Sequence, residues 1–207
     1  MTVKQFFKSN AFKSLAVLIL IVLVAGALLA IFNDLLYVSD EERLSRSLAK
    51  IYGTEVTAEE LELTEEERTY AYGSVDAVYF VEDDGNYLFQ TTGTGGYGSG
   101  GTVTLWTIVA CTGTAEAGDL TLTGIEKVVY DSNNGQTFIS NLNDDFYAAF
   151  AQQDELVAGG GYFTAVTNGT DDLNNIVAGA SKSSNAACNA VNTALACFRT
   201  VFMGGEA

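Results

Sequence analysis

The sequence predicts an α+β protein, a single N-terminal transmembrane helix followed by one extracytoplasmic domain of strands and flanking helices. Three observations predict it. Residues 14 to 33 carry no charge. Between Val75 and Tyr130 the chain breaks into β-branched and aromatic runs separated by turn signals. Beyond Asn175 a small-residue loop leads into apolar residues at helical spacing: Ala187, Ala190, Val191, Ala194, Leu195 and Phe198.

The uncharged run is 20 residues long, about 30 Å of helix and the thickness of a bilayer core. Lys4, Lys8 and Lys13 precede it, and Asp34, Asp40, Glu41 and Glu42 follow. This asymmetry predicts a single-pass protein of the cell membrane with residues 1–13 cytoplasmic, residues 14–38 as anchor and the bulk outside. Ala25-Gly26-Ala27 resembles a signal-peptide cleavage site, but the apolar run continues through Leu28, Leu29, Ile31 and Phe32, which favours an uncleaved anchor. Ser39 and Glu42 form a capping box for a helix reaching Tyr52, with Leu44, Leu48 and Ile51 on one face. The glutamate-dense residues 55 to 68 read as a solvated linker or an exposed helix rather than a site. Residues 39–70 are therefore expected to be stalk and linker, and residues 71–203 the folded domain, of ordinary single-domain size.

Within that domain, Val75–Val81 and Asn86–Thr91 are strands joined by Glu82-Asp83-Asp84-Gly85, a hairpin signal. Residues 93 to 101 form a glycine-rich loop that lacks both the P-loop lysine and the dinucleotide-binding spacing. Strands are expected over Thr102–Cys111 and Leu120–Tyr130, a helix over Leu142–Gln152, and a strand over Tyr162–Val166 after the Gly159-Gly160-Gly161 turn. The last helix ends near Phe202. Asn168-Gly169-Thr170 matches a glycosylation sequon, a pattern short enough to arise by chance.

Composition excludes several chemistries. Acidic residues outnumber basic ones 26 to 10, which argues against nucleic acid as a partner. There is no histidine, so triad hydrolysis, haem ligation through His and His-based zinc are ruled out, and no catalytic or metal-binding set is assigned. Cys188 and Cys197 lie nine apart, half a turn out of phase and about 13 Å along one helix, so they cannot bridge. All three cysteines read as small buried apolar residues, with a pairing of Cys111 to either of the others left open.

Residues 175 to 192 deliver the hydroxyls of Ser181, Ser183 and Ser184 to a helix start. There the unpaired N–H groups and the helix dipole favour an anion such as phosphate. The plainer reading makes one serine an ordinary N-cap.

This segment resembles the covalent-flavin motif, roughly Asp-x-x-Ser-Gly-Ala-Thr-x-Thr-Ser, of a family of membrane-complex proteins. They are the flavin-carrying subunits of sodium-pumping NADH:quinone reductases (Nqr) and of Rnf complexes. Asn175, Ala178 and Ser181 stand where that pattern has Asp, Ser and Thr. Leu28-Leu29-Ala30-Ile31-Phe32-Asn33 resembles the end of the family's anchor, Gly96-Tyr97-Gly98 its glycine stretch, and Gly135-Gln136-Thr137-Phe138 part of its Glu-Thr-Pro-Gly-Leu-Gly. The resemblance implies an FMN-binding domain with a curved antiparallel sheet and flanking helices. It implies flavin mononucleotide (FMN) held covalently as a phosphoester on Ser181, with Gly179, Ala180, Ser183, Ser184, Asn185, Tyr97, Gln136, Thr137 and Phe138 around it. Its implied function is that of an electron carrier in an ion-translocating membrane complex, with the membrane redox subunits of that complex and a maturing flavin transferase as partners. A stand-alone membrane-tethered flavoprotein for extracellular electron transfer and a cofactor-free surface-binding module are the alternatives.

Overall fold

A computed structural model of the chain describes residues 10–36, 40–115, 117–165 and 179–205. They fall into two compact units, Met1–Ser47 and Leu48–Ala207.

In the first unit, helix α1 runs from Asn10 to Leu36, with Leu15, Val17 to Val24, Leu28 and Leu29 exposed. Among the described residues no helix is long and apolar enough to cross a membrane. The expected transmembrane anchor is corrected on this finding, and with it the single-pass topology and the cell-membrane location with a cytoplasmic N-terminus. That expectation rested on the length of the uncharged run, the charges flanking it and the resemblance of residues 28–33 to a family anchor.

Helix α2, Asp40–Tyr52, has Arg46 bonded to Glu42 one turn earlier at 2.6 Å; its expected cap, Ser39, lies outside the described residues. Its last turn belongs to the second unit, where Leu48 and Ile51 are buried. The stretch expected as linker contributes β1, Ala58–Glu60, so the compact unit begins well before residue 71.

The sheet continues with β2 (Thr69–Tyr70), β3 (Gly73–Val81), β4 (Asn86–Gly93), β5 (Thr102–Thr112) and β6 (Thr121–Asn134). It runs β1-β3-β4-β5-β6 with β2 also on β3, and every pairing is antiparallel. It is an open sheet with free edges, not the curved one the resemblance implied. The β3–β4 hairpin turns as expected on Gly85, at φ 72°, whose N–H reaches the Val81 carbonyl at 2.9 Å. β6 outruns its expected end at Tyr130 because Ser132, Asn133 and Asn134 still pair with Thr104, Val103 and Thr102.

Alternation divides the strands between two buried faces. On one, Tyr87, Phe89, Val103, Leu105 and Val109 join the main core. On the other, Tyr79, Leu88 and Ile108 align in register with Lys127, whose ammonium donates to the Ile51 carbonyl and so ties α2 to that face.

Helix α5, Ser181–Cys197, covers the main core face through alanines. Its backbone comes so close to β4 that a Cβ on Gly93 would overlap the Ala186 carbonyl and the Ala190 amide. Thr91 Oγ1, also fully buried, donates to the Ala190 carbonyl at 2.8 Å. The helix widens into a π turn at Phe198–Phe202, where both aromatic rings pack on Tyr87.

The expected helix over Leu142–Gln152 is broken. A 3-10 turn at Ile139–Asn141 precedes α3 (Asp144–Ala148), a second occupies Ala149–Gln152, and α4 follows at Asp154–Ala158. Asn143 restarts the chain by accepting the Phe146 N–H at 3.0 Å. The expected strand at Tyr162 is also corrected: residues 162–165 are not strand. The Asn192 side chain takes the place of a neighbouring strand, accepting the Phe163 N–H and donating to the Phe163 carbonyl, both at 2.8 Å.

Candidate functional site

The start of α5 separates the three serines by exposure. Ser183 is buried, and its hydroxyl donates to Gln136 Oε1 at 3.0 Å. Ser184 is buried as well, its hydroxyl donating to the Ala180 carbonyl at 3.1 Å. Of the three serines, Ser181 alone is exposed.

The N-cap is Ala180, and no side chain caps the helix. Alanine is among the poorest residues there. The first intrahelical bond runs from the Ser184 N–H to the Ala180 carbonyl at 2.8 Å, so the preceding N–H groups have no partner within the helix. Gly179 reaches this start at φ 80°, a left-handed backbone that glycine adopts without strain.

Beside the helix start is a cavity of about 230 Å³ lined by Ser181, Lys182, Gly179, Thr137, Tyr97 and Phe138 among others. Tyr97 is 66 % exposed and Phe138 55 %, unusually high for large rings. Three segments distant in sequence thus line one cavity: the glycine loop, the turn after β6 and the start of α5.

Gln136 holds them together and has a different role from the ligand contact that the resemblance implied. It is buried to 5 % exposure. Its Oε1 accepts both the Tyr97 N–H and the Ser183 hydroxyl at 3.0 Å, and its Nε2 donates to the Asn134 carbonyl at 3.0 Å. Gly96 and Gly101 close on this amide, since a Cβ on either would overlap Gln136 Nε2. Asn185 also braces the loop, donating to the Gly95 carbonyl at 3.3 Å.

Two contributors escaped the sequence reading. Asn189 donates to the Thr94 carbonyl at 2.8 Å, and Lys182 brings a cation to the cavity. The spacing of Asn185, Asn189 and Asn192 along one helix face was the available signal for the first. The cysteines take no part. All three are free, and burial pushes the thiols of Cys188 and Cys197 up to about 12 and about 11.

The arrangement presents the hydroxyls of the exposed Ser181 and Thr137, an uncapped helix start, a lysine and two exposed rings. It can hold a phosphate-bearing group with a flat aromatic part. The cavity is below the usual range for whole small-molecule sites, about 300 to 1,000 Å³, so it suits the phosphate end, leaving a ring system to lie against Tyr97 and Phe138. The role of membrane-anchored electron carrier in an ion-translocating complex is corrected, since no described helix is long and apolar enough to cross a membrane. The membrane redox partners, the flavin transferase grouped with them and the membrane-tethered alternative lose their footing for the same reason. In comparison with known proteins, the chain matches no family model, no curated protein and no solved structure.

Proposed function

We propose that this domain holds flavin mononucleotide, joined through its phosphate to the Ser181 hydroxyl, and that the chain is a divergent relative of the flavin-carrying subunits of Nqr and Rnf complexes. The exposure of Ser181, beside the buried and hydrogen-bonded Ser183 and Ser184, is the observation that carries the reading. Attachment from FAD forms the Ser–O–P bond as the pyrophosphate bond breaks and AMP leaves, which needs a serine that a bulky donor can reach, and of the three only Ser181 is exposed. The resemblance of residues 175–192 supports it; residues 175–178 lie outside the described residues.

The chain's own groups have distinct tasks in this reading. The N–H groups of the first turn of α5 and the Lys182 ammonium balance the phosphate charge. Tyr97 and Phe138 offer aromatic faces to the ring, and Gln136 keeps the Tyr97 backbone in place. When bound, the flavin supplies one- and two-electron redox chemistry.

The test is the intact mass of the chain made in cells that attach flavin to protein hydroxyls. The wild type should gain the mass of one FMN less water and fluoresce after denaturing electrophoresis. Ser181→Ala should lose both signals, and Ser181→Thr should retain them. An unmodified wild type, or a Ser181→Ala variant that keeps the added mass, sinks the reading.

A further inference from the structure

A second cavity, of about 460 Å³, is lined by Lys50 from α2, Lys127 and Tyr130 from β6, and Asp144 and Tyr147 from α3. Its volume lies within the range of small-molecule sites. β6 is the last strand of the sheet, so one wall of the groove is a sheet edge. We propose that this groove binds a small molecule through an oxyanion head, a carboxylate or a phosphate.

Charge is the first observation. Among the described residues of the second unit there are five lysines and arginines, Lys50, Arg68, Lys127, Lys182 and Arg199, in a chain of net charge −16. Arg68 and Arg199 donate to backbone carbonyls, yet Lys50 and Lys127 converge on one groove. Neither is in an ion pair with Asp144; the described residues hold a single ion pair, Arg46 with Glu42. Lys127 gives one N–H to the Ile51 carbonyl, which orients the ammonium and leaves two donors.

The second observation is independent of charge. Tyr147 is 93 % buried, being 7 % exposed, and its hydroxyl has no hydrogen-bond partner. A buried hydroxyl left unpaired is costly. Tyr130 adds a further donor, because its oxygen accepts from Asn133 Nδ2 at 2.6 Å and its own proton remains available. Two ammonium groups and two phenol protons are the donor set an oxyanion needs. Asp144, exposed on the rim, opposes a bare anion and favours a ligand whose far end is a donor or a cation.

Titration with inorganic phosphate, and separately with succinate, at constant ionic strength tests the proposal through the ¹H–¹⁵N shifts of residues 127–130 and 145–148. Saturable shifts there are expected with at least one probe, and the tighter probe names the head group. Tyr147→Phe, which removes only the hydroxyl, and Lys50→Gln should each weaken binding about tenfold, whereas Asp144→Asn should tighten it. Shifts that do not saturate, shifts confined to residues 181–184, or unchanged affinity in Tyr147→Phe would overturn it.

Discussion

Gln136 joins residues 39 and 47 positions away in sequence, since its side-chain oxygen accepts from the Tyr97 N–H and the Ser183 hydroxyl together. Replacing it by leucine keeps the bulk but strands two donors in a buried place. Gln136→Leu should cost about 2 kcal/mol of unfolding free energy, measured by urea denaturation, and should speed hydrogen exchange at the Tyr97 amide. If Tyr97 exchanges at the wild-type rate, Gln136 does not hold the loop. None of this was readable in the sequence, where a glutamine after a glycine turn resembles any polar loop residue. The hydroxyls at the start of α5 were legible as a group, because loop composition and helical spacing bracket them. Which one stays exposed was decided by tertiary bonds to Gln136 and Ala180, which have no periodicity to read.

At the scale of the element, α5 depends on the absence of side chains. Gly93 and the alanines facing it let helix and strand backbones touch. Gly93→Ala puts a methyl group where the Ala186 carbonyl and Ala190 amide already are, a backbone clash that no rotamer relieves. The expected loss is about 3 kcal/mol, seen as a lower midpoint in denaturant, and a neutral outcome would show that the helix is free to lift. The strands of the central hairpin were legible from β-branched alternation and the Glu82–Gly85 turn. The broken helix near Asn143 and the missing strand at Tyr162 were not, because asparagine side chains substitute for backbone partners in both places.

For the whole molecule, the buried thiols link stability to pH. Burial pushes Cys188 from 9.0 to about 12 and Cys197 from 9.0 to about 11, so the folded chain holds these protons more tightly than the unfolded chain. Their contribution is fully present below pH 9 and is lost as pH rises through 11 to 12. Stability measured at increasing alkaline pH should therefore fall across that window, and more shallowly in Cys188→Ala than in wild type. An identical slope in the two proteins would remove Cys188 from the effect. The sequence read all three cysteines as buried and left a pairing of Cys111 open; all three are free, Cys188 and Cys197 are buried, and Cys111 is only half-buried. It misjudged the N-terminal unit and where the domain begins, since an apolar run and a run of glutamates each report composition without tertiary partners.

The close approach of Gly93 to α5 also acts mechanically. It clamps the helix at Ala190, nine residues from Ser181, and the segment between them is a stiff rod about 13 Å long. A tilt of about 5° at the clamp would move the start of the helix by roughly 1 Å, enough to spoil the alignment of a reacting oxygen. Mutations deep in the sheet, remote from the cavity and without contact to its contents, should therefore detune the Ser181 hydroxyl as a lever arm does when its pivot shifts.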